Sequence, residues 1–286
     1  MTSRTLSALP RAAAIAAAVL SLWPVVADAV LVAPHALFLG DRARSGQIYL
    51  VNQGSTPEEV TIDLQFGYPE ADSTGTMRIR LVDQPGPDDP SAATWLRAYP
   101  RRVRVGAGER QAVRIQATPP AGLPDGEYWS RLIVTSQQAQ PAEAVTNDSA
   151  VRAGITFALR TITSVTYRKG EVRTGLRLDS LSVIASTTHR DTIVTWIGLT
   201  REGNAAFLGS LRFELRDGTG ALVREWGTTP IAVYYALWRR FDLPLEEIAP
   251  GHYRLHALVS TARQDIAPHY VLPAAPVADS VAVEVR

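Results

Sequence analysis

Five histidines, His35, His189, His252, His256 and His269, are the side chains of this 286-residue sequence best suited to hold a metal or move a proton near neutral pH. His252 and His256 share one face of a strand pattern, but four residues at strand rise set them about 13 Å apart, too far for one ion. The other three fall in unrelated loops or strand ends. HExxH, a Gly-rich phosphate loop and GxSxG are all missing, and Glu246-Glu247 and Asp88-Asp89 sit near prolines, where solvated loop acids are ordinary. No catalytic set, metal site or cofactor is legible, so the chain reads as a non-enzyme. A Ser-His-Asp set assembled only by folding stays open at this level.

Binding chemistry is better represented. Tyr234 to Pro244, YYALWRRFDLP, gathers four aromatics and two arginines, the side chains that anchor interfaces. Two readings fit it: a carbohydrate- or peptide-binding surface, or a core strand of a second domain with Arg239 and Arg240 at its end. Ile155 to Arg168 is a second candidate. Ile155, Phe157 and Leu159 alternate with polar neighbours and lead into a run rich in β-branched residues, which is strand chemistry. As one strand it would span roughly 45 Å, more than twice the common length. Its apolar row either fills the chain's own core or is left for a partner.

The elements that position these residues are strands. Gln47-Ile-Tyr-Leu-Val, Val60-Thr-Ile-Asp-Leu, Arg102-Val-Arg-Val, Ala112-Val-Arg-Ile and Leu211-Arg-Phe-Glu-Leu alternate, with GDRARSG, GAGE and DGTG as turns, a pattern of all-β sandwiches. LPDGEYWSRLIVTS (Leu123–Ser136) and IAPGHYRLHALVST (Ile248–Thr261) repeat a Gly-x-Tyr turn-to-strand pattern. Tyr128 and Tyr253 are thereby placed in tyrosine corners of two immunoglobulin-like sandwiches. The boundary falls near Arg168 to Glu171, giving domains 30–169 and 170–286. Gln137 to Ala153, polar and without alternation, reads as a long loop, and the Asn147-Asp-Ser149 sequon within it as chance.

Arg4 and Arg11 precede an apolar run ending in Ala27-Asp-Ala29, so residues 1–29 read as a signal peptide cleaved after Ala29. The run is short and broken by Pro24, and no later segment approaches a spanning length. The chain is therefore expected outside the cytoplasm and not membrane-spanning. Removing residues 1–29 leaves 27 basic against 27 acidic residues, a balance that argues against a nucleic-acid partner. The basic residues include a single lysine, Lys169, and cysteine is absent. An exported chain without disulfides is held by its cores alone.

Taken in order, the signal peptide, PHALFLGDRARSGQIYLVNQG, YPRRVRVGAGERQAVRIQATPPAGLPDGEYWSRLIV and ALRTITSVTYR resemble the first domain of PapD-like periplasmic pilus-assembly chaperones. Pro100, Gly108-Glu109, Val113-Arg114-Ile115, Leu123-Pro124-Asp125 and Glu127 carry the match, which covers about half the chain. Residues 171–286 match only as a generic second sandwich. The resemblance implies a periplasmic, monomeric, cofactor-free chaperone of two sandwiches set at an angle. Its partners would be pilus-type subunits and an outer-membrane usher. It further implies that Ile155, Phe157 and Leu159 on the long last strand complete a subunit's unfinished fold by strand donation.

The cleft departs from the family pattern. An arginine and a lysine that would anchor the subunit's terminal carboxylate become His35 and Ser164. Arg160, about 13 Å along the strand from Ser164, cannot stand in for them. Arg168 matches a family arginine that pairs with an acid of the second domain, for which Asp265 is a candidate, a solvent-facing arginine being the alternative. These departures keep open a second function, an exported immunoglobulin-like binding or structural module that has the fold without the anchoring chemistry.

Overall fold

A computed structural model describes residues 30–139, 157–185 and 192–285, and they are all-β apart from one short 3-10 turn at Pro268–Tyr270. The proposed signal segment, Ile155, His189 and the sequon lie outside the described residues, as does the 137–153 loop beyond position 139. None of the described helices is long and apolar enough to cross a membrane.

The first sandwich sets an antiparallel sheet of β1 (Val30–Ala33), β3 (Ser45–Asn52), β8 (Arg110–Ala117) and β6 (Leu96–Tyr99) against a larger one. The larger sheet runs β2 (Ala36–Gly40), β10 (Ala158–Lys169), β9 (Gly126–Gln138), β4 (Glu58–Ala71) and β5 (Met77–Val82), with β7 (Arg102–Val105) beside β4. Pro34, which has no N–H to give a ladder, sits where the chain leaves one sheet for the other. Alternation does the sorting. Ile48 and Leu50 of β3, Val113 and Ile115 of β8, Ile62 of β4, Leu132 and Val134 of β9, and Val165 and Tyr167 of β10 form one buried core.

The second sandwich packs β11 (Thr174–Ala185), β12 (Thr192–Gly203) and β15 (Ala236–Pro244) against β14 (Leu222–Val233), β13 (Phe207–Arg216), β16 (Gly251–Ser260) and β17 (Val277–Val285). Its core gathers Ile197, Leu199, Phe207, Leu215, Leu255 and Val259. Both tyrosine corners are present. Tyr128 donates to the Pro124 carbonyl at 3.0 Å and Tyr253 to the Ala249 carbonyl at 2.8 Å, each reaching back four residues. Tyr128→Phe and Tyr253→Phe should each cost about 1 kcal/mol, one net hydrogen bond, in urea unfolding.

Three expectations need correction. The strand containing Phe157 and Leu159 was expected to start at Ile155; β10 starts at Ala158 and ends at Lys169. Gln137 and Gln138 belong to β9 instead of a loop, because they pair with Ala158 and with Glu58–Glu59 of the strands on either side. YYALWRRFDLP divides its work between a seam and a sheet. Tyr234 is buried with Phe66, Trp129 and Ala206 in a cluster joining the two sandwiches, and Tyr235 donates to Asp89 at 3.0 Å. Only Ala236 to Pro244 is strand, with Arg239 and Arg240 in its middle and not at its end.

Candidate functional site

The odd-numbered residues of β10 share one face, and their burial changes along it. Tyr167, Val165 and Thr163 are buried, Thr161 is half-buried, Leu159 is 45% exposed, and Phe157, one residue before the strand, is 75% exposed. The face that fills the first core at one end therefore runs out beyond the core at the other. At the inner end the strand is fastened. The Tyr167 hydroxyl donates to Asp41 at 2.8 Å and the Lys169 ammonium lies 3.2 Å from the same carboxylate. Burial, reinforced by Asp41, pushes the Tyr167 phenol up to about 12.

The two edges of β10 differ as well. Toward β9 it is paired along its whole length, Ala158↔Gln137 to Lys169↔Gly126. Toward β2 the pairing is parallel and covers only Ser164↔Ala36 to Arg168↔Gly40. Among the described residues, Ala158 to Thr163 has no strand on that side. Phe157 and Leu159 thus stand beside backbone whose second edge is open, and such an edge templates pairing with another chain.

Where the open stretch meets the paired one, the Ser164 amide donates to the His35 carbonyl at 3.1 Å, so folding brings these two positions together. The His35 ring is 62% exposed, with Nε2 3.6 Å from the Asp265 carboxylate. Asp265 is in turn gripped by Arg263, Nε to Oδ1 at 2.6 Å and Nη2 to Oδ2 at 2.5 Å. Arg263 also donates to the Ile231 carbonyl at 3.0 Å. An incoming carboxylate at His35 would meet the negative Asp265 first, and the guanidinium beside it is already committed. Arg160 is exposed on β10, away from this cluster.

The Arg263 guanidinium is the main cause, and His35 a lesser one, that holds Asp265 down at about 2. A depressed carboxylate contributes stability above its ordinary range near 3.8 and loses it as pH falls through about 2. Asp265→Asn should therefore lower the melting temperature at neutral pH. The gap to the unmodified protein should close as both are titrated from about pH 4 to 2.

Arg168 requires a correction. Its acid is not Asp265 but Glu127, directly opposite on β9, with Nε to Oε2 at 2.9 Å. Cross-strand register puts the two side chains within reach, whereas Asp265 is occupied by Arg263 and His35. Glu127 is fully buried, and its other oxygen accepts the amide of Ala206, just before β13, at 3.2 Å. Arg168 also lies 4.9 Å over the Phe38 ring, which stacks on Tyr270 at 4.7 Å. The arginine thus touches the second sandwich through two intermediaries, a carboxylate and a ring. The sequence singled out Glu127 as part of the matching segment but not as the partner of Arg168, because that pairing is fixed by a strand register 41 residues away.

Among the described residues no group of three or more His, Asp or Glu could hold a metal ion. No family profile and no curated protein matches the sequence. Solved structures do align with it. A complex of the chaperone CsuC with the tip subunit CsuE, from archaic chaperone-usher Csu pili of Acinetobacter baumannii, is 14% identical with a TM-score of 0.44, covering 81% of this chain and 93% of that one. The Salmonella enterica SafA pilin–SafB chaperone complex is 10% identical at 0.40, covering 88% and 96%. The Escherichia coli chaperone DraB is 11% identical at 0.38, covering 80% and 88%.

Proposed function

We propose that this protein is a periplasmic, non-enzymatic chaperone that captures pilus-type subunits by strand donation. The observation that supports this reading is the outer end of β10, where the core-facing row continues as exposed Phe157 and Leu159 beside an edge that is open from Ala158 to Thr163 among the described residues. A subunit with an incomplete immunoglobulin-like fold needs both a backbone ladder and apolar side chains, and strand addition supplies the two together. In the sequence Ile155 stands two residues before Phe157, outside the described residues, and it is the third apolar residue of the proposed donor run. Fully burying three such side chains would contribute about 5–9 kcal/mol as an upper bound. The subunit would be released to an outer-membrane usher, and the free chaperone would be a monomer.

Coexpression with a pilin-like subunit, followed by purification through a tag on this chain, tests the reading. A stoichiometric complex is expected, and recovery of the chaperone alone with the subunit aggregated or degraded would count against it. One observation favours a different function. His35 is held by Asp265 where a fixed cation would anchor a terminal carboxylate, which suits an exported binding module that keeps the fold and not that anchor. In that case no pilin-like subunit would co-purify.

A further inference from the structure

The face of the larger first sheet that turns away from the core carries charge that the protein does not neutralise. Val105 of β7, Val60 of β4, Val134 of β9 and Val165 of β10 point into the core, so alternation turns their chain neighbours outward. Register then lays two rows of outward residues across the four strands. One runs Arg102, Thr61, Thr135, Arg160, and the other Arg104, Glu59, Gln137, Ala158. Arg102 and Arg160 are three strand spacings apart, about 14 Å.

Arg101, at the side of these rows, is matched by Asp63 at 3.0 Å. Arg102, Arg104 and Arg160 are exposed, and none has a hydrogen-bond or ion-pair partner among the described residues. Glu59, opposite Arg104, offsets one of the three. Without residues 1–29 the chain has as many acidic as basic residues. The surplus here is therefore a local segregation of charge, and such a field favours partners of opposite sign.

The Arg102 row ends at the open edge of β10. A strand added there sets every second residue beside Phe157 and Leu159 and the alternate ones on the arginine face, because paired residues point the same way. A second copy of this chain is a poor occupant. Antiparallel pairing of two β10 edges about Arg160 would bring two guanidiniums side by side, and like charges directly opposite repel. An acid in that place is attracted by Arg160 at contact and, at low salt, by Arg102 and Arg104 from farther off.

Given strand donation, on which this rests, we propose that the strand captured on this edge alternates apolar with acidic side chains, apolar beside Phe157 and Leu159 and acidic toward Arg160. Ile162, half-buried on the same face as Arg160 and nearer Ser164, confines the acidic position to the outer end of the edge.

Fluorescence anisotropy of short labelled peptides alternating valine with glutamate, serine or lysine, titrated with the mature protein, tests the preference. The glutamate peptide is expected to bind about tenfold more tightly than the lysine peptide, an attractive contact in place of a repulsive one. The serine peptide should fall between them, and the gap should narrow as salt is raised. Arg160→Glu, at an exposed position, should invert the order, whereas Phe157→Ala should weaken all three and keep it. Equal binding of the three peptides, lost together in Phe157→Ala, would overturn the acidic preference and leave strand donation intact. A glutamate preference that Arg160→Glu does not change would overturn it too, because the attraction would lie elsewhere. Binding by none of the three would also overturn it, with strand donation then judged by coexpression alone.

Discussion

Phe157→Asp is expected to abolish subunit capture while leaving the free protein folded. Phe157 is 75% exposed and precedes the first residue of β10, so exchanging it should move the unfolding free energy by less than about 0.5 kcal/mol. In a complex the same side chain would enter an apolar groove. Losing a buried phenyl removes about 1.5–3 kcal/mol, and a carboxylate in its place adds a desolvation cost, so affinity should drop by about a hundredfold or more. Circular dichroism and urea unfolding would establish the fold, and co-purification of the subunit would read the loss. Unfolding of the isolated Phe157→Asp protein would assign the residue to its own core.

The second large effect lies at the seam. Arg168→Met removes the cation that faces a fully buried Glu127 and should destabilise the protein by about 3–5 kcal/mol, the usual result of leaving a buried charge without its partner. Burial already pushes the Glu127 carboxyl up, against the pull of Arg168 and of the Ala206 amide. For a carboxyl raised in the folded state, the favourable contribution is present in acid and declines as pH climbs through the folded pKa. Without Arg168 the rise is larger. The deficit of Arg168→Met should therefore grow with pH above about 4.5 and shrink in acid. Adding Glu127→Gln should recover much of it, since a neutral amide can still accept from Ala206. Thermal unfolding of both variants across pH checks this, and a deficit independent of pH would mean that packing, not charge, was lost.

The parts of this molecule that were legible beforehand are those encoded by neighbours in the chain. Alternation marked β3, β7, β8 and β13, and Gly-x-Tyr marked both corners, because each signal spans fewer than about ten residues. The exposed row at Phe157 and Leu159 was visible as an alternating run, but its direction was not, because the same alternation fills a core at Val165 and Tyr167. What sets the difference is where β2 begins, at Ala36 opposite Ser164, and that is a property of the sheet. Arg168–Glu127, His35–Asp265 and Trp196–Trp238 are pairs made by register and by packing between sandwiches, so no local spacing announces them. The run YYALWRRFDLP was ambiguous for the same reason, since its tyrosines serve the seam and its tryptophan a sheet face.

Amide hydrogen exchange across residues 157–163, measured on the free protein and on its complex with a coexpressed pilin-like subunit, addresses strand donation most directly. The account predicts fast exchange at the open edge of β10 in the free protein and strong protection there in the complex, with Ser164 to Lys169 protected in both. A stable complex that leaves 157–163 as exchangeable as before would contradict it.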